Sequence, residues 1–99
     1  MTQTPVMSLT KLRDAYAPGG TLAIKLGEGM REAREATGIS QQELADICQL
    51  SRSSILRFEN GQMIPIEPVK VMIAAVLNRP VAEVFPTPTE QEQHLYQAA

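Results

Sequence analysis

The sequence predicts an all-α fold, one domain of five helices with short N- and C-terminal flanks. The chain has 99 residues, enough for one compact core and too few for two. Its hydrophobic content is 43%, yet it holds only two Tyr, two Phe and no Trp, so the core must be built from Leu, Ile, Val, Met and Ala. Such an aliphatic core suits packed helices, where a β-sandwich would draw on more aromatic side chains. Apolar residues recur at the three- and four-residue intervals of a helix face, with no strand alternation and no internal repeat.

Residues 1–20 form the N-terminal flank, in which Leu9, Leu12 and Tyr16 stand at helical spacing before Pro18-Gly19-Gly20. This predicts a short helix followed by a flexible joint. The first full helix is expected from about Thr21 to Thr37, with Leu22, Leu26, Met30 and Ala33 as its apolar stripe. Gly27 and Gly29 weaken it by about 1 kcal/mol each relative to alanine. Gly27-Glu28-Gly29 looks like half a nucleotide-binding fingerprint, but no strand precedes it and the match is incidental. Gly38 ends the helix.

Ser40-Gln41-Gln42-Glu43 has the form of a capping box, which starts a second helix near Gln41 that runs to about Cys48. Ser51 is placed to cap a third, from Arg52 to about Glu59, closed by Asn60-Gly61. The fourth is expected over about Glu67 to Leu77, where Pro68 is tolerated in the first turn and Asn78 serves as a left-handed cap. A short fifth helix, Pro80 to Val84, precedes Phe85-Pro86 and the polar tail 87–99.

Charge narrows the function classes. The net charge of −2 offers no general attraction to nucleic acid, so any such contact must be local. Between Ile47 and Phe58 there is no acidic residue, while Arg52 and Arg57 are both present. Acid collects later, at Glu83, Glu90 and Glu92. No apolar run approaches the roughly 18–20 residues that span a bilayer, so no membrane role is expected. The single cysteine, Cys48, has no disulfide partner within the chain and reads as a small core residue. His94 stands alone in the tail, and no motif pairs a nucleophile with a base. Neither a metal, nor a cofactor, nor catalysis is expected.

Residues 41–60 carry the strongest signal: two short helices joined by a tight turn. In such a unit the first helix braces on the DNA backbone while the second enters the major groove. A small residue is needed where the helices cross (Ala45), a hydrophobe must seal the turn (Leu50), and another must anchor the second helix (Ile55). The outer face then offers Arg52, Ser53, Ser54 and Arg57.

The stretch Ser40-Gln-Gln-Glu-Leu-Ala-Asp, with Leu50-Ser-Arg-Ser-Ser-Ile and Phe58-Glu-Asn-Gly61, resembles the lambda-repressor/Cro (XRE) family of helix-turn-helix regulators. Leu26-Gly-Glu-Gly-Met-Arg-Glu-Ala-Arg34 upstream and Pro65, Leu77 and Phe85 downstream fit the same framework, so the likeness covers about residues 21–86. It implies a cytoplasmic protein of bacterial or phage origin that binds double-stranded DNA through Gln41, Gln42, Ser51, Arg52, Ser53, Ser54, Leu56, Arg57 and Asn60. Gln41 would meet a phosphate, Arg52 and Ser53 would read bases, and Asn60 would approach the other strand. The resemblance also implies a structural ion pair between Arg34 and Glu59.

Three positions depart from the family pattern. Gln49 occupies a turn position that is usually glycine, Cys48 replaces a larger aliphatic, and Leu56 stands where a small or polar residue is usual. Apolar contact with a thymine methyl is one use for such a leucine. The expected function is a repressor acting as a homodimer on a palindromic operator, because one domain this small buries little DNA surface alone. The fifth helix, with Val81, Val84 and Phe85, and the two flanks are candidate dimer surfaces. Two rivals keep the fold: an antitoxin-like regulator that also binds a toxin through a flank, and an adaptor whose helix-turn-helix binds protein.

Overall fold

A computed structural model describes residues 13–86. Leu9 and Leu12, the tail 87–99 and His94 lie outside the described residues. The described chain forms five α-helices: α1 Thr21–Thr37, α2 Gln41–Cys48, α3 Arg52–Glu59, α4 Glu67–Val76 and α5 Val81–Val84. A helical turn at 13–16 precedes them. No strand occurs among the described residues.

Each start and stop has a local cause. Ser40 and Glu43 close the capping box, with the Glu43 N–H donating to Ser40 Oγ at 3.0 Å and the Ser40 N–H to Glu43 Oε1 at 2.8 Å. Ser51 accepts from the Ser54 N–H at 3.0 Å and so opens α3. The first four helices end alike, on a residue in left-handed backbone: Gly38, Gln49, Gly61 and Asn78. The N–H of the next residue then reaches back to a last-turn carbonyl, as Leu50 does to Ala45 at 2.9 Å and Gln62 to Arg57 at 2.9 Å. Two boundaries shift by one residue from expectation. α4 stops at Val76, and α5 begins at Val81 with Pro80 as its N-cap.

The core is aliphatic, with Met30, Leu44, Ile55, Ile73 and Val84 fully enclosed. α3 packs between α1 and α2, α4 lies against α2, and α5 bridges α4 and α1. Val84 and Phe85 are buried in this core, which corrects their assignment as candidate dimer surface. Val81, at the start of α5, stays exposed, so the helix docks through Val84 and the Phe85 that follows it.

Gly27 has a role that its local sequence does not show. A Cβ there would press on the Phe58 carbonyl oxygen and lie 2.5 Å from that of Glu59. The absent side chain therefore lets α1 touch the last turn of α3, and Gly27 is a packing requirement as well as a cost in helix propensity. The joint at 18–20 is likewise pinned. The Gly19 N–H donates to the Gly61 carbonyl at 2.6 Å, the Gly20 N–H to that of Ala17 at 2.7 Å, and Ala15 is buried.

Candidate nucleic-acid interface

α2 and α3 form the helix-turn-helix. Ala45 is fully buried where they cross and Ile55 holds α3 to the core, so the orientation of α3 is set by its inner face. Ile55, Phe58 and Glu59 point inward, and Ser54 is half-buried. Arg52, Ser53, Leu56, Arg57 and Asn60 are all exposed. Their spacing (i, i+1, i+4, i+5, i+8) places them along one side of the helix.

The site residues expected from the sequence divide by what already holds them. Ser51 and Ser54 are engaged with each other, their hydroxyls 2.9 Å apart while Ser51 caps the helix. Gln42 is exposed, and its Nε2 donates to Asp46 Oδ1 at 2.8 Å. Gln41 is half-buried and donates from Nε2 to Glu59 Oε1 at 3.0 Å. Asn60 caps the end of α3. Neither Arg52 nor Arg57 enters an ion pair among the described residues.

Arg52 occupies the first position of α3, where a cation faces the positive end of the helix dipole. That placement costs the helix roughly 0.3–1 kcal/mol, and no acidic residue in the first turn compensates. α2 and α4, by contrast, carry Glu43 and Glu67 in their first turns. The start of α3 thus concentrates positive potential that is unfavourable for the isolated domain and favourable toward an external anion.

Behind this face lies the ion pair of Arg34 and Glu59. Arg34 Nε donates to Glu59 Oε2 at 2.6 Å, Nη2 to Oε1 at 3.1 Å and Nη1 to the Ile39 carbonyl at 2.9 Å. Hydrogen bonding to Glu59 raises the Arg34 pKa above its already high ordinary value, against the opposing effect of burial. The residues expected as a structural pair are therefore wired to Gln41, the one expected as a phosphate contact. Sequence reasoning missed that link, because nothing in the spacing of Gln41 and Glu59 signals it. It also missed Gly61 as a packing site, where a Cβ would lie 2.7 Å from Ile24 Cα and the φ is +73°. Among the described residues no group of His, Cys, Asp or Glu side chains is arranged to hold a metal ion. No described helix is long and apolar enough to cross a membrane.

A helix-turn-helix family model matches residues 30–84, more than half of the chain. A protein of Thermococcus kodakarensis, provisionally named an HTH-type transcriptional regulatory protein, is 32% identical over 74 residues. That alignment covers 74% of this chain but only 23% of the relative, so the chain spans about a quarter of that protein's length. The matched segment contains the capping box, the crossing alanine and the whole outer face of α3, and the chain belongs to the lambda-repressor/Cro-type (XRE) family of helix-turn-helix proteins.

Proposed function

We propose that this chain is a sequence-specific DNA-binding transcriptional regulator that presents α3 to the major groove, with the first turn of α2 against the phosphate backbone. The observation that carries this reading is the outer side of α3. Five exposed residues line it, two of them arginines without an ion-pair partner among the described residues, and no acid interrupts the sequence from Ile47 to Phe58. A helix that retains a cation at its own N-terminus, against its dipole, suits a polyanionic partner better than solvent. Further support comes from the name of the Thermococcus kodakarensis relative, a transcriptional regulatory protein.

The finer reading is a repressor that binds a palindromic operator as a homodimer. Single modules of this kind cover too little DNA for tight specific binding, and two-fold pairing doubles the contact. Half-sites would then lie about 10 base pairs apart, centre to centre. The test is selection of random duplex DNA on the purified protein at two salt concentrations. An enriched two-fold sequence whose retention falls as salt rises supports the regulator. Absence of retention even at low salt defeats it and favours the protein-binding adaptor, for which the exposed Ile47 on α2 and Leu56 on α3 would be the anchors.

A further inference from the structure

We propose that Leu56 is a specificity-determining residue that reads the 5-methyl group of a thymine in the major groove. The inference rests on the reading of α3 as the groove-entering helix and goes further by naming the chemical group recognised. Leu56 is 43% exposed although it lies mid-helix. The buried residues that hold α3 to the core are Ile55, Phe58 and Glu59, and Leu56 is not among them.

Its neighbours define what it can do. Arg52 and Ser53 lie one turn before it and Asn60 one turn after, all exposed. A helical side chain leans toward the N-terminus and covers the turn preceding its own Cα. By that tendency Leu56 leans toward Arg52 and Ser53, at the end of α3 that would reach deepest into the groove. The Ser51 and Ser54 hydroxyls are bonded to each other, which leaves Arg52, Ser53, Arg57 and Asn60 as the polar readers and Leu56 as the one apolar member of the face.

Base edges in the major groove present donors and acceptors, and thymine alone adds a methyl group. An aliphatic side chain pressed on a polar edge strips its water without replacing the hydrogen bonds, which is unfavourable. Against a thymine methyl the same side chain buries apolar surface on both partners. Leu56 thus selects for thymine and against the other bases at one position, while Arg52 and the other polar residues of the face make contacts of their own at neighbouring positions.

The experiment uses the full chain and a duplex recovered by selection, with thymines replaced one at a time by uracil. Uracil pairs identically and lacks only the methyl. At least one replacement should weaken wild-type binding about fourfold, the equivalent of one buried methyl group. Leu56→Ala should bind the thymine and uracil duplexes equally at that position and remain folded, as circular dichroism checks. Arg52→Ala should keep the thymine preference while losing affinity. Indifference of the wild type to every uracil overturns the proposal, as does a Leu56→Ala variant that retains the full penalty. In those cases selective DNA binding would survive, and only the role of Leu56 would fall. Failure to bind any duplex overturns both readings.

Discussion

Arg34 and Glu59, 25 residues apart, are joined by two parallel hydrogen bonds in which the Glu59 carboxylate is wholly enclosed and the Arg34 side chain keeps 11% of its exposure. The pair ties the last turns of α1 and α3 together and adds the Ile39 carbonyl and the Gln41 amide. Removing one partner leaves a buried charge uncompensated, so Glu59→Ala should cost on the order of 3 kcal/mol. Arg34→Met combined with Glu59→Leu should cost less than either single change, because the desolvation penalty vanishes with both charges. Denaturant titration of the three variants decides. Single losses below about 1 kcal/mol would mean that the pair is hydrated in solution.

Gly27 and Gly29 stand two residues apart in α1 and face different surroundings. A Cβ on Gly27 meets backbone carbonyls of α3, which cannot rotate away, whereas on Gly29 it meets only the Val84 carbonyl oxygen at 3.4 Å. Gly27→Ala should therefore destabilise by about 3 kcal/mol through overpacking. Gly29→Ala should stabilise by about 0.5–1 kcal/mol, the gain in helix propensity. Thermal unfolding reads both, and equal effects of the same sign would refute the close approach.

The contrast also marks where the sequence was legible. Helix starts and stops depend on caps a few residues long, such as Ser40 with Glu43, and these were visible as patterns. The inward face of α1, with Leu22, Leu26, Met30 and Ala33, followed from apolar spacing. The reason for Gly27 lies in residues 58 and 59, and no local pattern reports a close approach between distant turns. Val84 and Phe85 were misjudged for a similar cause: apolar residues in a short segment can cover a core or a partner, and periodicity does not separate the two. The link from Gln41 to Glu59 depends on how three helices meet, and only the assembled fold brings those side chains to 3.0 Å.

Gln49 ends α2 with φ 57° and ψ 42°, a conformation that its Cβ makes unfavourable. The Leu50 N–H bonded to the Ala45 carbonyl holds it there. Gln49→Gly should relieve the strain at a smaller entropic loss and stabilise the domain by about 0.5–1 kcal/mol. A Tm rise of a few degrees is the expected reading. A fall would mean that the Gln49 side chain contributes contacts outweighing the strain.

Burial pushes the Cys48 thiol pKa up. A group whose folded pKa exceeds its unfolded value contributes stability that is fully present below the unfolded value, about 8.5 for a thiol, and lost as pH rises through the folded one. Wild type should therefore lose stability more steeply than Cys48→Ala as pH rises above the ordinary thiol range. Alkylation of the native protein at pH 8 should be slow and should become fast in denaturant. Rapid native labelling would place the thiol at the surface.

Arg52 and Gln41 should fail differently. Arg52 projects from the first turn of α3 with no ion pair among the described residues, so Arg52→Ala leaves the fold intact. On the proposed function it weakens operator binding by about 1–3 kcal/mol and relaxes preference at one base pair. Gln41→Ala acts on a side chain that bridges the buried pair to the α2 start, so it should lower affinity for operator and scrambled duplex alike, as loss of a phosphate contact does. It should also cost up to about 1 kcal/mol of stability, since a hydrogen bond to Glu59 is lost while the two Arg34 bonds remain. Titrating both variants against both duplexes separates the roles. A Gln41→Ala defect confined to one base pair, or an Arg52→Ala defect equal on all sequences, would exchange the positioning and reading assignments of the two residues.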